Sequence, residues 1–99
     1  MELHPDVQAL STAMHELEHF LRAQEHVHWA DQILRCLRSI DNSDAYGLNG
    51  FLNLFGGMGS LNDLVLWRRD MTLGPENDQL EHLRSRAWEL AHQLAQEIR

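Results

Sequence analysis

The chain has no lysine, a single cysteine, a single tyrosine and two prolines among 99 residues. Its eight basic residues are all arginine, against fifteen acids, for a formal net charge of −7. Such a surface repels nucleic-acid phosphates and excludes that partner class. It favours a protein partner with a basic surface. The missing lysine also disposes of a phosphate loop at Gly56-Gly57-Met58-Gly59-Ser60, which needs a lysine at fixed spacing and a strand before it. Cys36 alone forms no internal disulfide, which fits a reducing cytosol. No apolar run is long enough to cross a bilayer. The first residues are polar, with Glu2, His4 and Asp6, unlike a secretory leader. A cytoplasmic protein without membrane contact is expected.

With so little to interrupt it, the chain is rich in helical periodicity. Pro5 suits the first turn of a helix, with Asp6 favouring its dipole. Val7, Leu10, Met14, Leu17 and Leu21 recur every three or four residues, so a helix is expected from about residue 5 to about residue 24. Gln8, Ser11, Glu16, Glu18 and Arg22 are assigned to its polar side. The segment 24–28 interrupts the stripe without glycine or proline and reads as a tight turn or kink. Trp29, Ile33, Leu37 and Ile40 then resume the pattern, with Ala30, Leu34 and Cys36 beside them, to an end near residues 39–41.

Asp41-Asn42-Ser43-Asp44 is a turn cluster, and Asn42 or Ser43 suits an N-cap. A third helix is expected over about 44–55. Gly47 and Gly50 each weaken it by about 1 kcal/mol relative to alanine. Two small residues three apart instead suggest a close approach to another helix. The dense apolar stretch 51–66 is broken once, at Gly56, Gly57 and Gly59, where a helix C-cap is expected. Ser60 or Asn62 is placed to cap whatever follows. Residues 61–67 fit either a short helix or an extended piece; helix is preferred, because an isolated strand has no partner. Gly74-Pro75 marks 68–75 as a loop. Asn77 or Asp78 is expected to cap a last helix whose stripe is Leu80, Leu83, Ala87, Leu90, Leu94 and Ile98, widened by Trp88 and Ala91. These stripes can be buried only against each other, so the expected fold is all-α: a compact single-domain bundle of about four to five helices over residues 1–99. A face left apolar would make a homodimer possible.

Chemistry-bearing patterns are few, and none calls for a cofactor. His15-Glu16-Leu17-Glu18-His19 has the His-Glu-x-x-His spacing of zinc hydrolases. Two histidines four apart share a helix face and reach one metal, with Glu16 as general base. The charged Glu18 and the lack of a third ligand at a familiar spacing make a solvated helix face the plainer reading. His26 and His28 read as loop residues, and Cys36 as a small core residue. The acids Asp41, Asp44, Asp63, Asp70, Glu76 and Asp78 cluster around the loops, either as caps and turns or as a surface that steers a basic partner. Trp67, beside Arg68 and Arg69, is an anchor candidate, since tryptophan and arginine dominate binding hot spots. Its alternative role is to close the core.

Asp44-Ala45-Tyr46-Gly47-Leu48, the run Phe55-Gly56-Gly57-Met58-Gly59-Ser60-Leu61-Asn62-Asp63-Leu64-Val65-Leu66, and Asn77 with the helix after it resemble a family of small bacterial proteins with no settled activity. In type, such small acidic helical proteins resemble immunity proteins, which protect a bacterium from a toxin. The expectation is a non-enzymatic protein that occludes a cognate toxin's active site. Its binding surface would comprise Asp41, Asp44, Asp63, Trp67 and Asp70. The alternatives are a zinc-dependent hydrolase using His15, Glu16 and His19, and a self-associating helical adaptor.

Overall fold

A computed structural model describes residues 5–41, 45–55, 60–68 and 71–97. The order is α1 (Pro5–Ala23), α2 (Val27–Asp41), α3 (Ala45–Asn53), a single 3-10 turn (Leu61–Asp63), β1 (Trp67–Arg68), β2 (Met71–Thr72) and α4 (Gly74–Glu97). The fold is all-α, as the periodicity implies. Helix α1 packs on α2 and α4, and α3 closes the ring by packing on α2 and, more lightly, on α4. One core runs through all of them. Leu10, Met14, Leu17 and Leu21 of α1 meet Ile33 and Leu37 of α2, Phe51 of α3, and Leu80, Ala87 and Ala91 of α4. Each fully buried Leu, Ile or Phe contributes about 1.5–3 kcal/mol. No described helix is long and apolar enough to cross a membrane.

The turn between α1 and α2 uses a device that the sequence conceals. Glu25 takes a left-handed conformation with φ 67°. The His26 N–H donates to Leu21 C=O at 2.9 Å and the Glu25 N–H to Arg22 C=O at 3.1 Å. That pair of bonds is a Schellman cap, normally built on glycine. Glutamate fills the role at a steric cost of about 1 kcal/mol, which is why no glycine marks the turn.

The two helical glycines prove to be a contact. A Cβ on Gly47 would lie 2.6 Å from the Cys36 carbonyl oxygen, 2.6 Å from Ser39 Cβ and 2.9 Å from the Ile40 nitrogen. The α3 backbone therefore lies directly on the α2 backbone. Gly50 is looser, with Cys36 Sγ 3.5 Å from its Cβ position. Burial pushes the Cys36 thiol pKa up, away from the reactive thiolate.

Three expectations are corrected. Residues 61–67 are helical only as one 3-10 turn and then extended; the strand partner is Met71–Thr72, inside the stretch read as loop. Ser60 precedes the 3-10 turn but makes no side-chain cap bond. Helix α4 begins at Gly74, with Pro75 in its first turn, so Asn77 is inside the helix and not its cap. The Asn42, Ser43 and Gly56–Gly59 expectations lie outside the described residues.

Asn77 instead ties the hairpin to α4. Its Oδ1 accepts the Leu66 N–H at 2.8 Å, and its Nδ2 donates to Leu66 C=O at 3.1 Å and Leu73 C=O at 2.8 Å. Leu73 N–H closes the base of the hairpin on Leu66 C=O at 3.2 Å. Two turns further along α4, Arg84 Nη1 donates to the carbonyls of Leu61 at 3.1 Å and Leu64 at 3.2 Å. Arg84 is buried and ion-pairs with Glu81. Arg84 and then Ser85 hold the Glu81 carboxyl below the usual carboxylate range. Buried Glu18, assigned from sequence to the polar face of α1, pairs with Arg22 at 2.9 Å. Arg22 reaches on to Asp31 of α2 at 3.0 Å.

Candidate functional site

The described residues offer two places where chemistry-bearing side chains converge. The first is a groove of about 670 Å³ lined by Thr12, His15, Glu16, His19 and Phe20 of α1 and Gln79 and Leu83 of α4. The His15 and His19 rings stand edge to face, with centroids 6.3 Å apart, both exposed. The helix thus brings together the three residues of the hydrolase pattern. They supply two imidazoles where a catalytic zinc takes three protein ligands. Among the described residues, no group of three or more His, Cys, Asp and Glu stands close enough to hold an ion. Glu18 lies 3.6 Å from His19 Nε2, but its carboxylate is already engaged by Arg22.

The second place lies under the hairpin, a hollow of about 380 Å³ lined by Trp29, Ser60, Asp63, Leu64, Val65 and Trp67. Alternation in the extended segment creates it. Leu66 points inward and is 1% exposed, while Val65 and Trp67 on the opposite side are 43% and 62% exposed. Trp67 pairs with Thr72 and Arg68 with Met71 across the two-rung ladder. Met71, 70% exposed, therefore projects from the face opposite Trp67. Of the two roles open to Trp67, closing the core is overturned: that job falls to Leu66. The exposed residues sit on a firm base, because Leu66 is held at both backbone groups by Asn77.

Of the acids expected to share a surface with Trp67, Asp63 lines this hollow and is exposed. Asp41 is elsewhere. It ends α2, where it accepts a 2.8 Å bond from Ser11 Oγ. Trp29 stands at the start of the same helix, so twelve residues of rise separate the two by roughly 18 Å. Asp44 and Asp70 lie outside the described residues. Trp29 and Ser60 were missed by sequence reasoning. Trp29 looked like one more member of the α2 stripe, and its half-exposure depends on what packs beside it. Ser60 looked like a cap; its hydroxyl is buried with no hydrogen-bond partner among the described residues.

A third hollow, of about 440 Å³, lies between Phe55, Asn62, Arg84, Ser85, Trp88 and Glu89. Trp88, expected to widen the buried stripe of α4, instead sits on this outer rim at 37% exposure. It stacks on His92 at 4.8 Å.

Fold and surface together define a helical bundle, acidic in composition, that presents an exposed tryptophan on a short two-stranded ladder. The chain belongs to the family described as a domain of unknown function, DUF6966, whose model matches residues 22–73. That stretch holds α2, α3, the connector and the hairpin, and so every residue lining the hairpin hollow. His15, Glu16 and His19 fall outside it. No curated protein matches the chain, and no solved structure matches it.

Proposed function

We propose that this protein is a non-enzymatic binding protein, similar in type to bacterial immunity proteins, that occludes the active site of a cognate toxin. The observation that carries this reading is the exposure of Trp67 and Val65 on a hairpin clamped from behind. Large apolar side chains exposed on a rigid base make binding anchors, because little conformational freedom is lost when they are covered. Asp63 beside them and the overall charge of −7 suit a partner with a basic surface. The hollow also lies within the stretch that defines the family.

The test is co-purification with the product of the adjacent gene, followed by an assay of that product's toxicity or catalytic activity. Binding with loss of activity is expected. Trp67→Ala is expected to weaken binding by about 2 kcal/mol or more, a factor of roughly thirty, without lowering stability. A neighbour that neither binds nor is inhibited, or a Trp67→Ala variant that binds as well as the parent, overturns the reading.

A further inference from the structure

The groove over α1 holds two metal-binding side chains that the surface around Trp67 does not use. Of the seven histidines, only His15 and His19 are four residues apart. Within α1 that spacing puts both rings on one face, one turn from each other. They stand edge to face with centroids 6.3 Å apart. Both are exposed, the His19 side chain at 77%. Each ring can therefore turn about its side-chain bonds without displacing packed neighbours. His19 Nε2 lies 3.6 Å from the Glu18 carboxylate. That separation is longer than a hydrogen bond, so turning the ring gives up none there.

Two other histidines show the contrast. His28 faces Gln32 at 2.6 Å, and His92 faces Gln96 at 3.2 Å, each one helical turn away. Those pairs offer one imidazole each, where the α1 pair offers two. Imidazole is a ligand that suits zinc and copper, and two on one rigid helix face act as a chelate. Glu16 adds a carboxylate to the same lining, which favours a cation over an anion. Thr12 and Gln79, also in the lining, supply polar groups for water molecules held by an ion.

We propose that His15 and His19 chelate a divalent transition-metal ion, zinc or copper, through one nitrogen of each ring. Zinc takes its nitrogen ligands at about 2.0–2.1 Å, so the two rings swing towards each other to share it. Solvent fills the remaining positions. This is a two-ligand binding site and not the three-ligand centre of a zinc hydrolase. The folded helix holds the two donors one turn apart, and the unfolded chain does not. The ion therefore favours the folded state.

The test uses the full chain prepared without a histidine tag. Zinc chloride is added while the histidine ring signals are followed by NMR, and affinities are measured by calorimetry. The His15 and His19 signals are expected to move together and saturate, with those of His28 and His92 unmoved. His15→Gln and His19→Gln should each weaken zinc binding by about tenfold or more, since even the loss of an outer-shell partner costs that much. His28→Gln should leave it unchanged. Copper should bind more tightly than zinc, and magnesium, which prefers oxygen ligands, should move neither ring. Zinc should raise the Tm of the parent and not that of the doubly substituted chain. His15 and His19 are exposed, so the variants are expected to keep the parent's circular dichroism. Unmoved His15 and His19 signals, equal movement at His28 or His92, undiminished binding in either glutamine variant, or an unchanged Tm would each overturn the assignment. None of these outcomes depends on the toxin-binding reading, which is tested at Trp67.

Discussion

The four helices and the connector between α3 and α4 are held by different forces. The helices close on each other through apolar stripes, and at Gly47 through direct contact of two backbones. The described residues of that connector hold one 3-10 turn and a two-rung ladder, bury Leu61 and Leu66 in the core, and are aimed by hydrogen bonds. Leu61 N–H donates to Leu54 C=O at 2.8 Å, which closes the glycine-bearing stretch. Arg84 and Asn77 then fasten successive backbone groups to α4. Apolar burial is non-directional and sets the bundle. Hydrogen bonds are directional, and they aim the hairpin. The exposed aromatic surface therefore stands on the segment whose position depends most on single polar atoms.

The largest effect is expected at the helical frame. Gly47→Ala places a methyl against backbone atoms that cannot move aside, and a net loss of about 3 kcal/mol in denaturant unfolding is expected. Gly50→Ala is its control. With ordinary contact distance and better helix propensity, it should be neutral or gain up to about 1 kcal/mol. Equal losses at both positions would show that helix packing here does not depend on backbone contact.

Next is Asn77→Ala, which removes three bonds and leaves the Leu66 N–H without a partner in a buried setting. A loss of about 2–3 kcal/mol is expected. The Leu66 amide should lose its protection from hydrogen exchange, while α1 and α2 amides fall only by the global change. Uniform loss across the chain would mean that frame and connector unfold as one unit.

A smaller gain is expected from Glu25→Gly, which relieves the left-handed strain. About 0.5–1 kcal/mol of added stability is expected, measured by thermal unfolding. The smallest effect is acid dependence at Arg84. The Glu81 carboxyl is depressed in the folded state, so its contribution is present above about pH 4.3, the unfolded value, and is lost as pH falls through the folded pKa. Because Glu81 is 62% exposed, solvent screens most of it. Glu81→Gln should lower stability slightly at pH 7 and flatten the profile below pH 4.5, where the parent loses the same contribution.

Much of the frame was legible because its signal is local. Leu10, Met14, Leu17 and Leu21 announce a buried face by spacing alone, and all four are fully buried. The two buried charges were legible too, had spacing been weighed above polarity. Arg84 lies four after Leu80 and three before Ala87, and Glu18 lies four after Met14 and three before Leu21. The connector was not legible. Its strand pairs with residues that look like loop, and the side chain that orients it comes from a helix that starts seven residues after Trp67. Of the acids grouped with Trp67, Asp63 adjoins it and Asp41 does not, because neighbours in a list of loops need not be neighbours in space.

The sequence by itself determined the helices, the buried stripe of each and the all-α class, since helical periodicity and the hydrophobic effect act on residues a few positions apart. Only the tertiary structure decided that Trp67 faces outward, that Trp29 and Asp63 share its hollow and that Asn77 sets its aim. Those outcomes depend on hydrogen bonds and contacts between segments distant in the chain, whose geometry no local pattern encodes.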